Sequence, residues 1–187
     1  MTKFFHNPVD VRYGSNIIER NLRNLPQVKI ILIVTSSGGR KRLENSPKFA
    51  WLLKNRELSW IDDVTENPSL RYFEDRIKVL LPELDDIGVI LGIGGGSVLD
   101  AAKVFSVSKS FENCSLGTYF LTEKKPEIIR NCYLCLCPTT SGSGSEVTPF
   151  STVWDKLRKK KLSLAGESLF SDIAIVDSEL TSELPNS

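Results

Sequence analysis

Ile90-Leu91-Gly92-Ile93-Gly94-Gly95-Gly96-Ser97-Val98-Leu99-Asp100-Ala101-Ala102-Lys103 decides the fold reading. An apolar run that begins at Ile87 meets four glycines in five residues, and a helical pattern follows. Leu99, Ala102 and Phe105, with Ala101 and Val104, give residues 98–108 a broad apolar face, as in a buried helix. Glycine lets the backbone approach a ligand closely, and the free N–H groups of a helix's first turn favour an anion. Ser97 is expected to cap this helix, with Asp100 completing a capping-box-like pattern. Strand, glycine loop and helix in that order predict a phosphate cradle, most simply for a dinucleotide.

Outward from this segment, the chain alternates strands and helices. Residues 29–34, 87–91, 133–137 and 173–177 are short runs, apolar on both faces and rich in β-branched residues, as in the centre of a covered parallel sheet. A weaker strand is expected at 58–61. Helices are expected at 69–81, ended by Pro82, and around 48–54. Residues 150–164 read as a β-hairpin with a basic tip, and residues from 178 as a short helical turn followed by Leu184-Pro185. The pattern predicts an α/β fold, a Rossmann-like layered parallel sheet with a β-hairpin insertion. Residues 1–187 form one dinucleotide-binding domain on this reading.

A second polar loop follows the strand at 133–137. Pro138-Thr139-Thr140-Ser141-Gly142-Ser143-Gly144-Ser145-Glu146-Val147-Thr148 places hydroxyls and glycines at a strand's carboxyl end, where open α/β sheets bind ligands.

Composition narrows the function classes. The chain has 187 residues, 41% hydrophobic and 25% charged, with 24 Lys plus Arg against 23 Asp plus Glu. A formal charge of +1 gives no global pull toward nucleic acid or an anionic membrane, and neither is an expected partner. No apolar run approaches the ~18 residues of a membrane span. Four cysteines are too few for a disulfide scaffold, so a reduced, cytoplasmic setting is expected. Cys135 and Cys137 share one strand face and Cys132 the other, which makes no zinc site. The single histidine, His6, rules out a multi-histidine metal site and a serine triad elsewhere in the chain.

Together the two loops resemble those of the iron-containing (group III) alcohol dehydrogenases. Gly94 to Lys103 is similar to their GGGSxxDxAK element. Pro138 to Thr148 is similar to their PTTxGTGSEVT element, with Ser143 replacing the usual Thr. Asn67-Pro68, Ala174-Ile175-Val176-Asp177, Leu184-Pro185 and the opening from Asn7-Pro8 to Gly14 also match, so the resemblance covers essentially the whole chain. It implies the cofactor-binding half of an enzyme that moves hydride between NAD(P) and a small alcohol or aldehyde. It implies that Gly95, Gly96 and Ser97 hold the pyrophosphate. Thr139, Thr140 and Ser143 would then line the phosphate and ribose region. Asn67 would lie near the cofactor, and Lys161 would match a cofactor-contacting lysine. Asp100 also matches the motif. The family's metal, iron or zinc, is held by an Asp and three His of a helical domain beyond the Leu-Pro segment. These ligands are absent from the 187 residues, which alone are expected to be inactive. Family members commonly pair through N-terminal strands, so a homodimer is an open expectation. The alternative is a stand-alone nucleotide-binding module, or a decayed enzyme without catalysis.

Ser36 stands where NAD-preferring members often carry an Asp. With Ser36, Gly38, Gly39 and Arg40 after the first strand, small residues and a basic run replace that carboxylate. A 2′-phosphate suits free N–H groups and Arg. The cofactor is expected to be NADP or NAD, with NADP favoured.

Overall fold

A computed structural model of the chain describes residues 6–181. The strands are β1 (Asp10–Gly14), β2 (Ile30–Ser36), β3 (Leu58–Val64), β4 (Ile87–Gly94), β5 (Tyr133–Pro138), β6 (Phe150–Asp155), β7 (Lys160–Ala165) and β8 (Ile173–Asp177). The helices are α1 (Ile18–Arg23), α2 (Gly39–Asn45), α3 (Ala50–Asn55), α4 (Leu70–Leu80), α5 (Gly96–Ser106), α6 (Leu116–Leu121) and α7 (Ser178–Thr181). Six strands form one sheet in the order β1-β8-β5-β4-β2-β3, and every neighbouring pair is parallel. The remaining two, β6 and β7, form an antiparallel hairpin.

The apolar runs are central strands because both faces are covered. Leu32, Val34, Ile90, Leu134 and Leu136 face α4, α5 and the hairpin, packing with Phe73, Phe105, Val153 and Leu164. The alternating residues Ile31, Ile33, Val89, Leu91, Ile93, Cys135 and Cys137, with Ile173 and Ile175 of β8, face α1 and α3, packing with Ile18, Leu22 and Leu52. Cys135 and Cys137 share one face, and half-buried Cys132 packs on the other. All four thiols are free, and burial pushes Cys132 up to about 11, so it stays protonated and inert near neutral pH.

Helix α4 starts where Ser69 accepts from the Tyr72 amide at 3.2 Å. By contrast, α5 corrects the expected cap. It begins at Gly96 with an extended Gly95 before it, so Ser97 is already inside the first turn. Asp100 then lies too far along the helix to complete a capping box. Helix α1 begins with apolar Ile17 and Ile18, and its capping comes from another strand. Asp177 accepts from the Asn16 and Ile18 amides at 2.9 Å each and from Glu179 at 3.0 Å. Burial alone would raise the Asp177 carboxyl, but these backbone donors hold it below its ordinary value.

Three elements escaped the sequence reading: β1, α1 and α6. Strand β1 is an edge strand whose first four residues are exposed, so it shows no apolar run. Leu184-Pro185 lies outside the described residues. Among the described residues, no helix is long and apolar enough to cross a membrane.

Candidate functional site

The chain leaves β2 toward β3 and β4 toward β5, in opposite directions across the sheet. Ligand crevices in open α/β sheets form at such a switch point, outside the strands' carboxyl ends. Here the crevice is walled by the ends of β2 and β4 and roofed by the loop after β5.

Two adjoining hollows meet at Ser36 and Gly95. The first, about 370 Å³, is lined by Thr35, Ser36, Gly39, Arg42, Lys48, Gly94, Gly95 and Thr139, among others. The second, about 430 Å³, is lined by Ser36, Thr65, Glu66, Asn67, Gly95, Gly96, Ser97 and Thr140, among others. The floor is fixed from below. The Thr35 hydroxyl donates to the Ile93 carbonyl at 2.9 Å, tying β2 to β4. The Thr139 amide donates to the Gly94 carbonyl at 2.9 Å, tying β4 to the second loop.

The glycines are there because the two loops touch. A Cβ on Gly95 would come within 3.3 Å of the Thr140 hydroxyl, and one on Gly96 within 3.0 Å of the Ser143 Cβ. Any side chain would push into the space between the loops, just above the first turn of α5. At the other wall Gly38 precedes α2 with φ of +75°, a left-handed conformation that L residues rarely adopt. Asn67 also lies in the left-handed region, at φ +50°, which Asn tolerates better than most residues. Its amide donates to the Ser97 Oγ at 3.2 Å, so Asn67 and the start of α5 are held together.

Two sequence expectations change in detail. Arg40 points away from both hollows: its guanidinium lies 4.8 Å from the Trp60 ring centre and bonds Glu44 at 2.9 Å. A basic side chain that does line the crevice is Arg42, which donates to the Ser36 hydroxyl at 3.3 Å. Arg42 belongs to the same basic run as Arg40, and the turn of α2 brings it round to the crevice. Lys48 lines the same hollow and pairs with Glu179 at 3.3 Å, a partner too distant in sequence to foresee.

Asp100 likewise faces away from the crevice. One carboxylate oxygen accepts from the Ser145 hydroxyl, and the other accepts from the Thr152 amide at 2.8 Å. One turn on, Lys103 is fully buried and donates to the Thr148 carbonyl at 2.7 Å and the Phe150 carbonyl at 2.8 Å. It also reaches the Ser145 and Thr148 hydroxyls, each at 3.3 Å. Burial lowers the Lys103 ammonium to about 8, opposed by the charges of Asp100 and Glu146. The pair acts as a staple. It fixes the end of the second loop and the start of β6 to α5, so that Thr140 and Ser143 sit over Gly95 and Gly96.

Lys161 stands on β7 opposite Trp154, its ammonium 6.0 Å from the indole centre. Trp154 in turn donates its amide to the Pro68 carbonyl at 3.1 Å, which brings Lys161 to the Asn67 side of the crevice.

Residues 8–178 match the family model for iron-containing alcohol dehydrogenase. The chain belongs to the iron-containing alcohol dehydrogenase family. It is 30% identical over 183 residues to the NADPH-dependent butanol dehydrogenase of Clostridium saccharobutylicum, covering 97% of this chain and 46% of that protein. Among solved structures, an iron-containing alcohol dehydrogenase of Thermotoga maritima superposes with a TM-score of 0.78 at 28% identity, covering 97% of this chain and 49% of that one. The NADH-dependent butanol dehydrogenase A of the same organism superposes with a TM-score of 0.80 at 22% identity, covering 98% and 46%, and so shares the fold. The chain spans about half the length of each of these three relatives and corresponds to their N-terminal portion.

A family metal has no holder among the described residues, where no three His, Cys, Asp or Glu side chains group together. A dinucleotide fits better: the crevice has a glycine cradle that any Cβ would narrow, with free N–H groups at the start of an eleven-residue helix.

Proposed function

We propose that residues 1–187 act as the dinucleotide-binding domain of an NAD(P)-dependent alcohol or aldehyde oxidoreductase of this family. The carrying observation is the packing of Thr140 and Ser143 against Gly95 and Gly96 at the carboxyl ends of β4 and β5. The amides at the start of α5, with Gly95, Gly96 and Ser97, hold the pyrophosphate. Thr139, Thr140 and Ser143 contribute hydroxyls, and Asn67 and Lys161 close the side toward β3. When bound, the nicotinamide supplies or accepts a hydride. The chain's own contribution is to orient the cofactor and exclude water from one wall of the crevice.

NADP is the favoured cofactor. No carboxylate occupies the end of β2, where Ser36, Gly38 and Gly39 leave room and Arg42 brings a cation. The relative from Clostridium saccharobutylicum is named for NADPH. A small alcohol or aldehyde is the substrate of the complete enzyme, and its metal is iron or zinc. The protein works in the reducing cytoplasm, which suits four free thiols. The open edge of β1, with Tyr13 83% exposed, suits pairing with a second copy in a homodimer.

Titration with NADPH and NADH, followed by cofactor fluorescence, tests the proposal. Saturable binding tighter for NADPH is expected. Equal or tighter NADH binding overturns the argument from Ser36 and Arg42, and no binding of either overturns the cofactor assignment.

A further inference from the structure

The hairpin climbs α5 toward the crevice. Phe150 meets Lys103 through its carbonyl at 2.8 Å, and Thr152 meets Asp100 through its amide at 2.8 Å. Two residues on, Trp154 bonds Pro68 at 3.1 Å, beside Asn67 and its bond to Ser97. Strand β6 therefore runs from the third turn of α5 to its N-terminus, and the hairpin tip continues past it. That tip is Lys156-Leu157-Arg158-Lys159-Lys160, followed by Lys161. Five of these six residues are cations, and all five are exposed.

Neighbouring carboxylates do not cancel this charge. Asp155 bonds the Arg158 amide at 2.9 Å and pairs with its guanidinium at 3.2 Å. Among the described residues, Lys156, Lys159, Lys160 and Lys161 have no carboxylate within ion-pair distance. Glu66 is the one carboxylate lining the adjoining hollow. Lys156, Lys159 and Lys160 crowd like charge into one turn of the tip, where repulsion works against the hairpin. Its placement over an anion-binding helix start gives it a use.

We propose that the hairpin tip steers the anionic dinucleotide into the crevice, with Lys156, Lys159 and Lys160 accelerating association without contacting the bound cofactor. This rests on the cofactor reading above. A pyrophosphate carries two negative charges and a 2′-phosphate adds about two more, so the attraction is larger for NADPH than for NADH. Clefts rimmed by one sign of charge raise on-rates by about 10-fold or more, in a salt-dependent way.

The test compares NADPH association and dissociation rates by stopped-flow fluorescence for the 187-residue chain and the triple variant Lys156→Gln, Lys159→Asn, Lys160→Gln. Asn is chosen at 159 because the backbone there has φ of +51°. Arg158 and Lys161 are left in place. A second variant, Lys156→Arg with Lys160→Arg, keeps the charge, and circular dichroism verifies the fold of each. At low salt the neutralised variant is expected to associate about 10-fold more slowly, with dissociation within about twofold of the parent. Near 1 M salt, where the screening length is ~3 Å, the two association rates should converge, and the arginine variant should match the parent throughout. Unchanged association at low salt overturns the steering. So does a loss carried by faster dissociation, which would mean direct contact. Failure of the parent chain to bind NADPH at all overturns the cofactor reading and this proposal with it.

Discussion

Replacing Lys103 by Met tests the staple between α5 and the second loop. The side chain is fully buried and its ammonium ends on two partly buried carbonyls, of Thr148 and Phe150. Leaving a buried acceptor unpaired costs about 1–3 kcal/mol each, so the variant is expected to lose about 3–5 kcal/mol at pH 7. The pH dependence gives a sharper signature. Burial holds the ammonium at about 8 in the folded chain, against an ordinary value of 10.5. Between those values the unfolded chain binds more protons than the folded one, so stability rises with pH across this window. The lowering corresponds to about 3 kcal/mol, gained from pH 8 upward and complete near 10.5. Other groups titrate there too: burial raises Cys132 to about 11, and stability is lost above its ordinary value as the unfolded thiol ionises. The difference between the parent and Lys103→Met removes these shared contributions. Urea unfolding at pH 7, 8, 9 and 10, read by Trp154 and the other two tryptophans, should show the gap widening with pH. A gap that stays constant or shrinks would refute the reasoning about the buried charge.

Further substitutions test the crevice and the contacts that hold its elements. Arg42→Gln should weaken NADPH binding about 10-fold while leaving NADH within about twofold, whereas Arg40→Gln should change neither, as calorimetric titration would show. Gly39→Ala should destabilise the chain by about 2–4 kcal/mol in thermal unfolding, because the new Cβ would fall on the Thr35 hydroxyl that ties β2 to β4. Asp177→Asn should cost about 1–3 kcal/mol at pH 7, with the gap to the parent closing as pH falls through the lowered Asp177 value; acid titration of both chains measures this.

What the sequence revealed follows from where each signal is stored. Strands β2, β4, β5 and β8 are buried on both faces, so their composition alone marks them. The glycine loop is legible because four glycines in five residues, where a strand meets a helix, stand out in the sequence, and in the fold a Cβ on Gly95 or Gly96 would crowd Thr140 or Ser143. Edge strand β1 and the six-residue helix α6 carry too little periodicity to register. Asp100 misled because a carboxylate three residues after a serine looks local, while its donors, Ser145 in the second loop and Thr152 on β6, lie 45 and 52 residues on. Arg40 and Arg42 were indistinguishable as letters. Only the turn of α2 and the Trp60 ring on β3 decide which of them reaches the crevice.

The central claim is that the dinucleotide lies between the glycine loop and the second polar loop. Calorimetric titration of NADPH into the parent chain and into Gly96→Val tests it most directly. The valine would fill the gap against Ser143 at the start of α5. The account predicts saturable binding by the parent and its loss, by about 100-fold or more, in a variant whose circular dichroism is unchanged. Equal binding by a folded Gly96→Val chain would contradict it.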